Sequence, residues 1–167
     1  MTHIFFCRHG ERSGNGSLLP SGLERLHALG SLIRPYILPV QTGAKWWLPR
    51  PSIFLTSTTT WAFESILEIR SGDGNVVASD CLFADDEIGE NKLAVASTFI
   101  AEQMVGKEVV VVVTHAVVTA KLPFAFACNH TRLDIRRNRE GRKVVLDYAC
   151  AIHIDTVGGT WKNINQV

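Results

Sequence analysis

The stretch that decides the fold is VVVVVTH, residues 109–115, in which five consecutive valines and a threonine precede His115. A run this apolar has no polar face, which indicates a strand buried on both sides in a parallel sheet. A second short run, IFFC at residues 4–7, ends two positions before His9. Ligand sites of α/β sheets lie at the carboxyl ends of such strands. We therefore expect the imidazoles of His9 and His115 to meet in one pocket.

Strand and helix patterns alternate along the 167 residues. This alternation predicts an α/β fold, a three-layer α/β/α sandwich with a mostly parallel central sheet, in a single domain spanning residues 1–167. Apolar runs and alternation predict strands at residues 2–7, 52–57, 76–79, 109–114, 143–155 and 160–167. Apolar positions three and four apart predict helices at residues 22–33 with Ser21 as N-cap, 60–69, 92–104, and 117–127 with an interruption at Pro123.

Two further segments are polar or irregular. The chain from Pro35 to Pro51, which includes Trp46 and Trp47, is expected to be a loop that walls the pocket entrance, packs on the sheet or contacts a second subunit. Residues 131–139 are strongly basic, and we favour a solvated loop there over recognition of an acidic substrate or partner.

Composition excludes several classes of protein. The net charge of +1 offers no electrostatic reason to expect nucleic acid or a membrane surface as a partner, and no apolar stretch is long enough to span a bilayer. Neither the four cysteines nor the six histidines have metal-ligand spacing, so we expect no metal. Scattered cysteines and an N-terminus without a signal-peptide pattern favour reduced thiols and a cytoplasmic protein.

His9 is a candidate nucleophile because a neutral imidazole nitrogen can attack a phosphoryl group and carry it as a covalent intermediate. Cations must balance the charge of the transferring group, and the planar fork of an arginine binds two phosphate oxygens. Arg8 and Arg12 flank His9, and Gly10 allows the backbone to approach a ligand closely. His115 is expected to be a second hydrogen-bond donor to the phosphate. Together these residues favour a phosphate pocket over the polar turn that a lone histidine would indicate.

This set of residues resembles the histidine phosphatase superfamily, which has the phosphoglycerate-mutase-like fold. The matching segments are residues 8–11 (RHGE, its Arg-His-Gly signature), 18–25 (LLPSGLER, the start of its first helix), 111–115 (its second-histidine strand), and 150–155 and 160–165 (its closing strands). The resemblance spans nearly the whole chain. It implies that His9 is the phosphorylated residue and that Arg8 and His115 hold the phosphoryl group.

One position departs from the family pattern. Members usually carry Ser-Ser-Pro-x-x-Arg-Ala at a strand end, whose arginine also binds phosphate, whereas residues 56–62 here read TSTTTWA and place Trp61 at the arginine position. Tryptophan has one N–H donor and no charge, so it cannot replace a guanidinium. Arg12 compensates if Arg-His-Gly-x-Arg works as in the acid-phosphatase branch that it resembles. Otherwise the pocket is weakened or inactive, or Trp61 is simply a core residue of its helix.

A phosphatase also needs a proton donor for the leaving oxygen. The family often places an acid four residues before a glycine that follows the third strand, and Asp85 stands four residues before Gly89. Asp85 is therefore our first choice, with Asp86 and Glu87 as close competitors. The alternative is that all three belong to a solvated acidic loop.

The sequence thus predicts a phosphatase that hydrolyses a phosphomonoester or phosphohistidine through phospho-His9, with no metal or organic cofactor. Its substrate would be a small-molecule phosphate ester or a phosphoprotein. The alternative is a catalytically weakened or inactive member that binds a phosphorylated ligand or partner. A mutase is less favoured because a short chain leaves little for a lid. The oligomeric state is left open.

Overall fold

The computed structural model describes residues 2–38, 50–70, 74–130, 146–157 and 160–164. Within these ranges the strands are β1 (His3–Arg8), β2 (Ser52–Thr56), β3 (Asn75–Ala78), β4 (Val109–Thr114), β5 (Ala151–Asp155) and β6 (Thr160–Ile164). The helices are α1 (Pro20–Ile37), α2 (Thr60–Ile69), α3 (Glu90–Gln103) and α4 (Ala116–His130), with a short 3-10 turn at Asp80–Leu82.

The described strands form one sheet in the order β3-β2-β4-β1-β5-β6. β1, β2, β3 and β4 are mutually parallel. At one edge β5 pairs antiparallel with β1, and β6 pairs antiparallel with β5. The prediction of a mostly parallel sheet is therefore confirmed. β4 lies between β1 and β2, as its unbroken apolar sequence requires, because both of its faces are covered.

Alternate residues of the central strands pack into two cores, one on each face of the sheet. In β1, Ile4 and Phe6 contact the α3 and α4 side, whereas Phe5 and Cys7 contact the α1 and α2 side. The valines of β4 alternate in the same way. Helices therefore cover both faces, which confirms the predicted three-layer sandwich. No helix within the described ranges has the length and apolar character that crossing a bilayer requires.

Helix α1 is longer than predicted at both ends. It begins with Pro20 in the first turn after Leu19, and the Ser21 hydroxyl donates to the Glu11 carboxylate at 3.3 Å, so the prediction of Ser21 as N-cap is wrong. The helix also continues through Pro35 to Ile37, where a loop was expected. Ile37 is buried in the core on the α1 and α2 side of the sheet, and this burial outweighs the helix-breaking tendency of proline.

Two other predicted boundaries are wrong. Helix α4 passes through Pro123 without interruption, with Pro123 buried on its inner face. Of the strand predicted over residues 143–155, the described residues 146–150 are not extended strand and β5 begins at Ala151, because the left-handed φ of 53° at Ala149 interrupts the extended backbone there. The predictions for Trp46, Trp47 and the basic residues 131–139 lie outside the described residues.

Candidate active site

The two histidines emerge side by side at the same edge of the sheet. Arg8 pairs with Thr114 in the parallel register of β1 and β4, so the next residue of each strand is a histidine. The backbone N–H of His9 donates to the Thr114 carbonyl at 3.0 Å. The ring centroids of His9 and His115 are 5.2 Å apart, with an angle of 60° between the rings. The structure thus brings together the two imidazoles that the sequence places at strand ends.

The hydrogen bonds of His9 define its tautomer. Its Nδ1 lies 2.8 Å from the Gly10 carbonyl oxygen, which can only accept, so Nδ1 carries the proton. Burial, with smaller contributions from the charges of Arg8 and Arg12, lowers the pKa of His9 to about 4 against the opposing effect of the Gly10 hydrogen bond. At neutral pH the ring is therefore uncharged and has its lone pair on Nε2, which is the form that can act as a nucleophile.

The Arg8 side chain is held beside His9 by the segment that precedes β5. Its Nη1 donates to the Leu146 carbonyl at 2.8 Å, and its guanidinium lies over the Tyr148 ring at 3.8 Å from the centroid. The Tyr148 ring in turn is 5.6 Å from the His9 ring. Within the described part of the chain, Arg8 Nε is buried without a hydrogen-bond partner. A buried donor without a partner is costly, so this N–H is suited to a ligand oxygen.

Arg12 reaches the site from the loop between β1 and α1. A backbone bridge between Arg12 and Leu18 closes this loop, and the Arg12 guanidinium lies over the Trp61 ring at 4.0 Å from the centroid. Gly10 precedes this loop, and its backbone N–H donates to Ser65 Oγ at 3.0 Å. Arg8 thus stacks on Tyr148, which neighbours His9, and Arg12 stacks on Trp61, which neighbours His115. The role of Gly10 toward phosphate stays a prediction.

His115 makes contacts through both of its ring nitrogens. Its Nε2 is 2.9 Å from Ser57 Oγ and 3.3 Å from Thr59 Oγ1, and its Nδ1 is 3.4 Å from the indole Nε1 of Trp61. The Phe83 ring stands edge-on at 5.0 Å. Burial lowers the pKa of His115 to about 4, and the cationic groups around it add to this effect. His115 is thus a second neutral imidazole at pH 7.

The predicted proton donor lies in an exposed loop. Asp85, Asp86 and Glu87 occupy the exposed loop between the Asp80–Leu82 turn and α3, and Glu87 pairs with Lys121 at 3.4 Å. The loop begins two residues after Phe83, whose ring lies 5.0 Å from the ring of His115. The choice of Asp85 as the proton donor stays a prediction.

Sequence reasoning missed two groups at the site. Ser57 directly follows β2, which neighbours β4, so a polar residue at that strand end carried the same signal as the histidines. Tyr148 gave no local signal, because its position under Arg8 depends on β5 pairing with β1. Within the described ranges, no group of three or more His, Cys, Asp or Glu side chains is arranged to hold a metal ion.

No protein-family model matches this chain, and no curated protein matches it by sequence. Solved structures do match. YhfR of Bacillus stearothermophilus is 19% identical with a TM-score of 0.62, covering 98% of this chain and 95% of that one. The protein histidine phosphatase SixA, solved with tungstate, is 11% identical with a TM-score of 0.62, and the match covers 97% of this chain and 94% of that one. A phosphoglycerate mutase from Plasmodium falciparum is 16% identical with a TM-score of 0.52, covering 99% and 89%. The chain therefore has the histidine phosphatase fold, of the phosphoglycerate-mutase-like type.

Proposed function

We propose that this protein is a phosphatase that transfers the phosphoryl group of a phosphomonoester or phosphohistidine to His9 and then to water. The observation that carries the proposal is the geometry around His9. A neutral imidazole with its lone pair on Nε2 stands beside the buried, unpartnered Nε–H of Arg8 and 5.2 Å from His115. This arrangement combines a nucleophile with an unpartnered arginine N–H that can bind the charged oxygens of a transferring phosphoryl group.

The reaction proceeds in two displacements. In the first, His9 Nε2 forms a bond to phosphorus, and the bond from phosphorus to the leaving atom breaks. That atom is the ester oxygen of a phosphomonoester or the imidazole nitrogen of a phosphohistidine, and it takes a proton from a carboxylic acid, for which Asp85 is our first choice. In the second, the resulting carboxylate takes a proton from water as the water oxygen attacks phosphorus. The P–N bond then breaks, which releases orthophosphate and restores His9. Arg8 and Arg12 compensate the phosphoryl charge in both steps.

A tetrahedral oxyanion is the ligand that such a site should accept. The SixA structure of the same fold was solved with tungstate, which has this shape. We infer that the substrate is a small phosphate ester or a phosphoprotein, since both present the same dianion to the pocket. All four cysteines are free thiols, which supports our proposal that the protein works in the reducing cytoplasm.

One observation favours a second candidate function, a binding protein without turnover. Trp61 stands where the resemblance places a second phosphate-binding arginine, and its N–H is directed at His115. If this substitution has removed catalysis, the pocket would bind a phosphorylated ligand without hydrolysing it. Activity that is created by Trp61→Arg in an otherwise inactive protein would favour this candidate.

The test is a hydrolysis screen over small phosphomonoesters and a phosphohistidine peptide. The wild type, His9→Ala and His27→Ala are compared, because His27 is an exposed histidine on α1 that pairs with Glu68 at 2.7 Å, away from the site. We expect turnover by the wild type and His27→Ala, none by His9→Ala, and an acid-labile phosphoryl label on the two active proteins only. Hydrolysis that survives in His9→Ala would disprove the mechanism, and tungstate binding without any turnover would select the binding protein.

A further inference from the structure

Trp61 contacts two charged or titratable groups of the site at once. It is the second residue of α2, and its indole Nε1 lies 3.4 Å from His115 Nδ1. The face of the same ring carries the Arg12 guanidinium at 4.0 Å from the centroid. Trp61 is half-buried and packs against the core on the α1 and α2 side of the sheet. Its position therefore links the loop after β1 to the histidine after β4.

The direction of the first contact follows from chemistry. An indole N–H can only donate, so His115 Nδ1 must be the acceptor and carries no proton. A neutral imidazole has one proton, which then lies on Nε2 and is donated to Ser57 Oγ at 2.9 Å. His115 is thus held as a single tautomer by partners on opposite sides of its ring. In this state its Nδ1 has no proton to offer a ligand.

The second contact sets the orientation of Arg12. A guanidinium stacked on an aromatic ring uses its face, and its N–H groups project outward in the guanidinium plane. Arg12 can therefore stack on Trp61 and still present N–H donors to an anion beside His9. Without the Trp61 ring, the long Arg12 side chain would lose this fixed position and would lose more conformational entropy when it binds an anion.

We propose that Trp61 is a positioning residue that holds His115 as the Nε2-protonated tautomer through its N–H and fixes Arg12 through its ring. This inference rests on the proposed function only in treating the pocket as an anion site. Trp61 does not replace a guanidinium chemically, and it makes Arg12 the second guanidinium of the pocket. The two parts of the role are separable, because one needs the N–H and the other needs the ring.

Two substitutions separate the parts. Trp61→Phe keeps an aromatic face for Arg12 and removes the N–H, whereas Trp61→Leu removes both. Trp161→Phe is the matched control, since Trp161 lies on β6 and contacts the Phe124 ring edge-on at 5.4 Å, at the edge of the sheet. The readouts are the nitrogen-15 spectrum of His115 at pH 7 in the unliganded protein, and calorimetric binding of tungstate and orthophosphate. KM and kcat are also compared for any substrate that the wild type hydrolyses.

We expect the wild type and Trp161→Phe to show His115 with an unprotonated Nδ1. Trp61→Phe should show a mixture of tautomers while it binds tungstate within about threefold of the wild type, because Arg12 keeps its platform. Trp61→Leu should bind about tenfold more weakly, which is the scale of a desolvated cation–π contact. Where there is turnover, this loss should appear in KM and kcat/KM for Trp61→Leu.

Several outcomes would overturn the inference. A protonated Nδ1 on His115 in the wild type would disprove the proposed tautomer. This measurement needs no variant, so it remains decisive even if a variant misfolds. An unchanged His115 spectrum in Trp61→Phe does the same. Tungstate affinity that is equal in Trp61→Leu and the wild type, or absent in both, disproves the Arg12 part. Absence of hydrolysis alone counts against the proposed function and leaves the spectral and binding results to decide this inference.

Discussion

Arg8 is a side chain whose position is fixed before any ligand arrives. The Leu146 carbonyl binds one edge of its guanidinium at 2.8 Å, and Tyr148 covers one face at 3.8 Å. The left-handed Ala149, with φ of 53°, follows Tyr148, and its N–H donates to the His9 carbonyl at 3.2 Å. A short segment thus ties Arg8 and His9 to each other. Pre-organised charge of this kind stabilises a transition state without reorganisation.

We predict that Arg8→Lys reduces kcat/KM by about 100-fold, the scale of one lost donor at a developing charge. Lysine keeps the positive charge but lacks the planar fork, so it cannot bind Leu146 and a phosphate oxygen in fixed directions. Steady-state hydrolysis of the best substrate from the screen measures the effect. Arg34→Lys, in the last turn of α1, is the matched control and should match the wild type. A loss below threefold for Arg8→Lys would show that charge alone is sufficient.

At the scale of elements, α1 packs so closely on the loop after β1 that its first turn has room only for glycine at residue 22. A Cβ added at Gly22 would lie 2.5 Å from the Glu11 carbonyl oxygen and 2.8 Å from the Glu11 nitrogen. Both are backbone atoms of Glu11, which lies between Gly10 and Arg12. The helix therefore supports the loop between Gly10 and Arg12 directly.

We predict that Gly22→Ala lowers the free energy of unfolding by about 1–3 kcal/mol, because backbone must move to relieve the overlap. Alanine favours a helix by up to about 1 kcal/mol over glycine, which is too little to offset that cost. Urea unfolding measures the change. Gly14→Ala is the control, since an added Cβ there meets nothing within 4 Å. Stabilisation by Gly22→Ala would mean that the loop is not packed against α1 as described.

The elements that the sequence predicts well are those whose signal is local. Val109–Thr114 and Thr60–Ile69 have the bounds that the sequence predicts, because an unbroken valine run and a regular apolar stripe need no tertiary information. The end of α1 differs from the predicted bound. Pro35 suggests a break in the helix, and only the burial of Ile37 against the sheet extends the helix beyond that proline. Propensity is a weak prior that tertiary packing overrides.

The residues of the site also fall into those that local sequence predicts and those that depend on tertiary contacts. His9 and His115 follow recognisable strands, so their positions at strand ends are enough to predict that they meet. Tyr148 and Ser57 depend on which strands are neighbours, and the order β3-β2-β4-β1-β5-β6 is a property of long-range pairing. The contact between Trp61 and Arg12 likewise needs α2 and the loop after β1 to be adjacent. Residue types at strand ends are predictable from the sequence, and the contacts between separate elements are not.

At the scale of the whole molecule, buried histidines lie at both ends of the sheet. His9 and His115 stand at the carboxyl end of the parallel strands, with 6% and 8% of their surface exposed. At the other end, His3 Nδ1 and His153 Nε2 are 3.1 Å apart, and His153 stacks on Phe5 at 4.4 Å. Burial lowers the pKa of His153 to about 4, and the neighbouring His3 contributes. Burial also lowers the pKa of His3.

These histidines should make the fold sensitive to mild acid. His9, His115 and His153 each have a pKa of about 4 in the folded protein and an ordinary value of 6.5 in the unfolded chain, so the unfolded chain binds more protons between those values. Stability is therefore fully present above pH 6.5 and falls as the pH drops toward 4. At pH 5 each such histidine should cost about 1–2 kcal/mol.

We predict that the urea midpoint is flat from pH 7 to 8 and falls clearly between pH 6.5 and 5, above the range where ordinary carboxylates titrate. His9→Asn removes one of the four buried histidines with a lowered pKa, so it should reduce the loss between pH 7 and 5 by about a quarter. Equilibrium unfolding of both proteins at each pH measures this. A midpoint that rises on acidification, or an equal loss in both proteins, would contradict the buried neutral state of His9, and with it the protonation state on which nucleophilic attack depends.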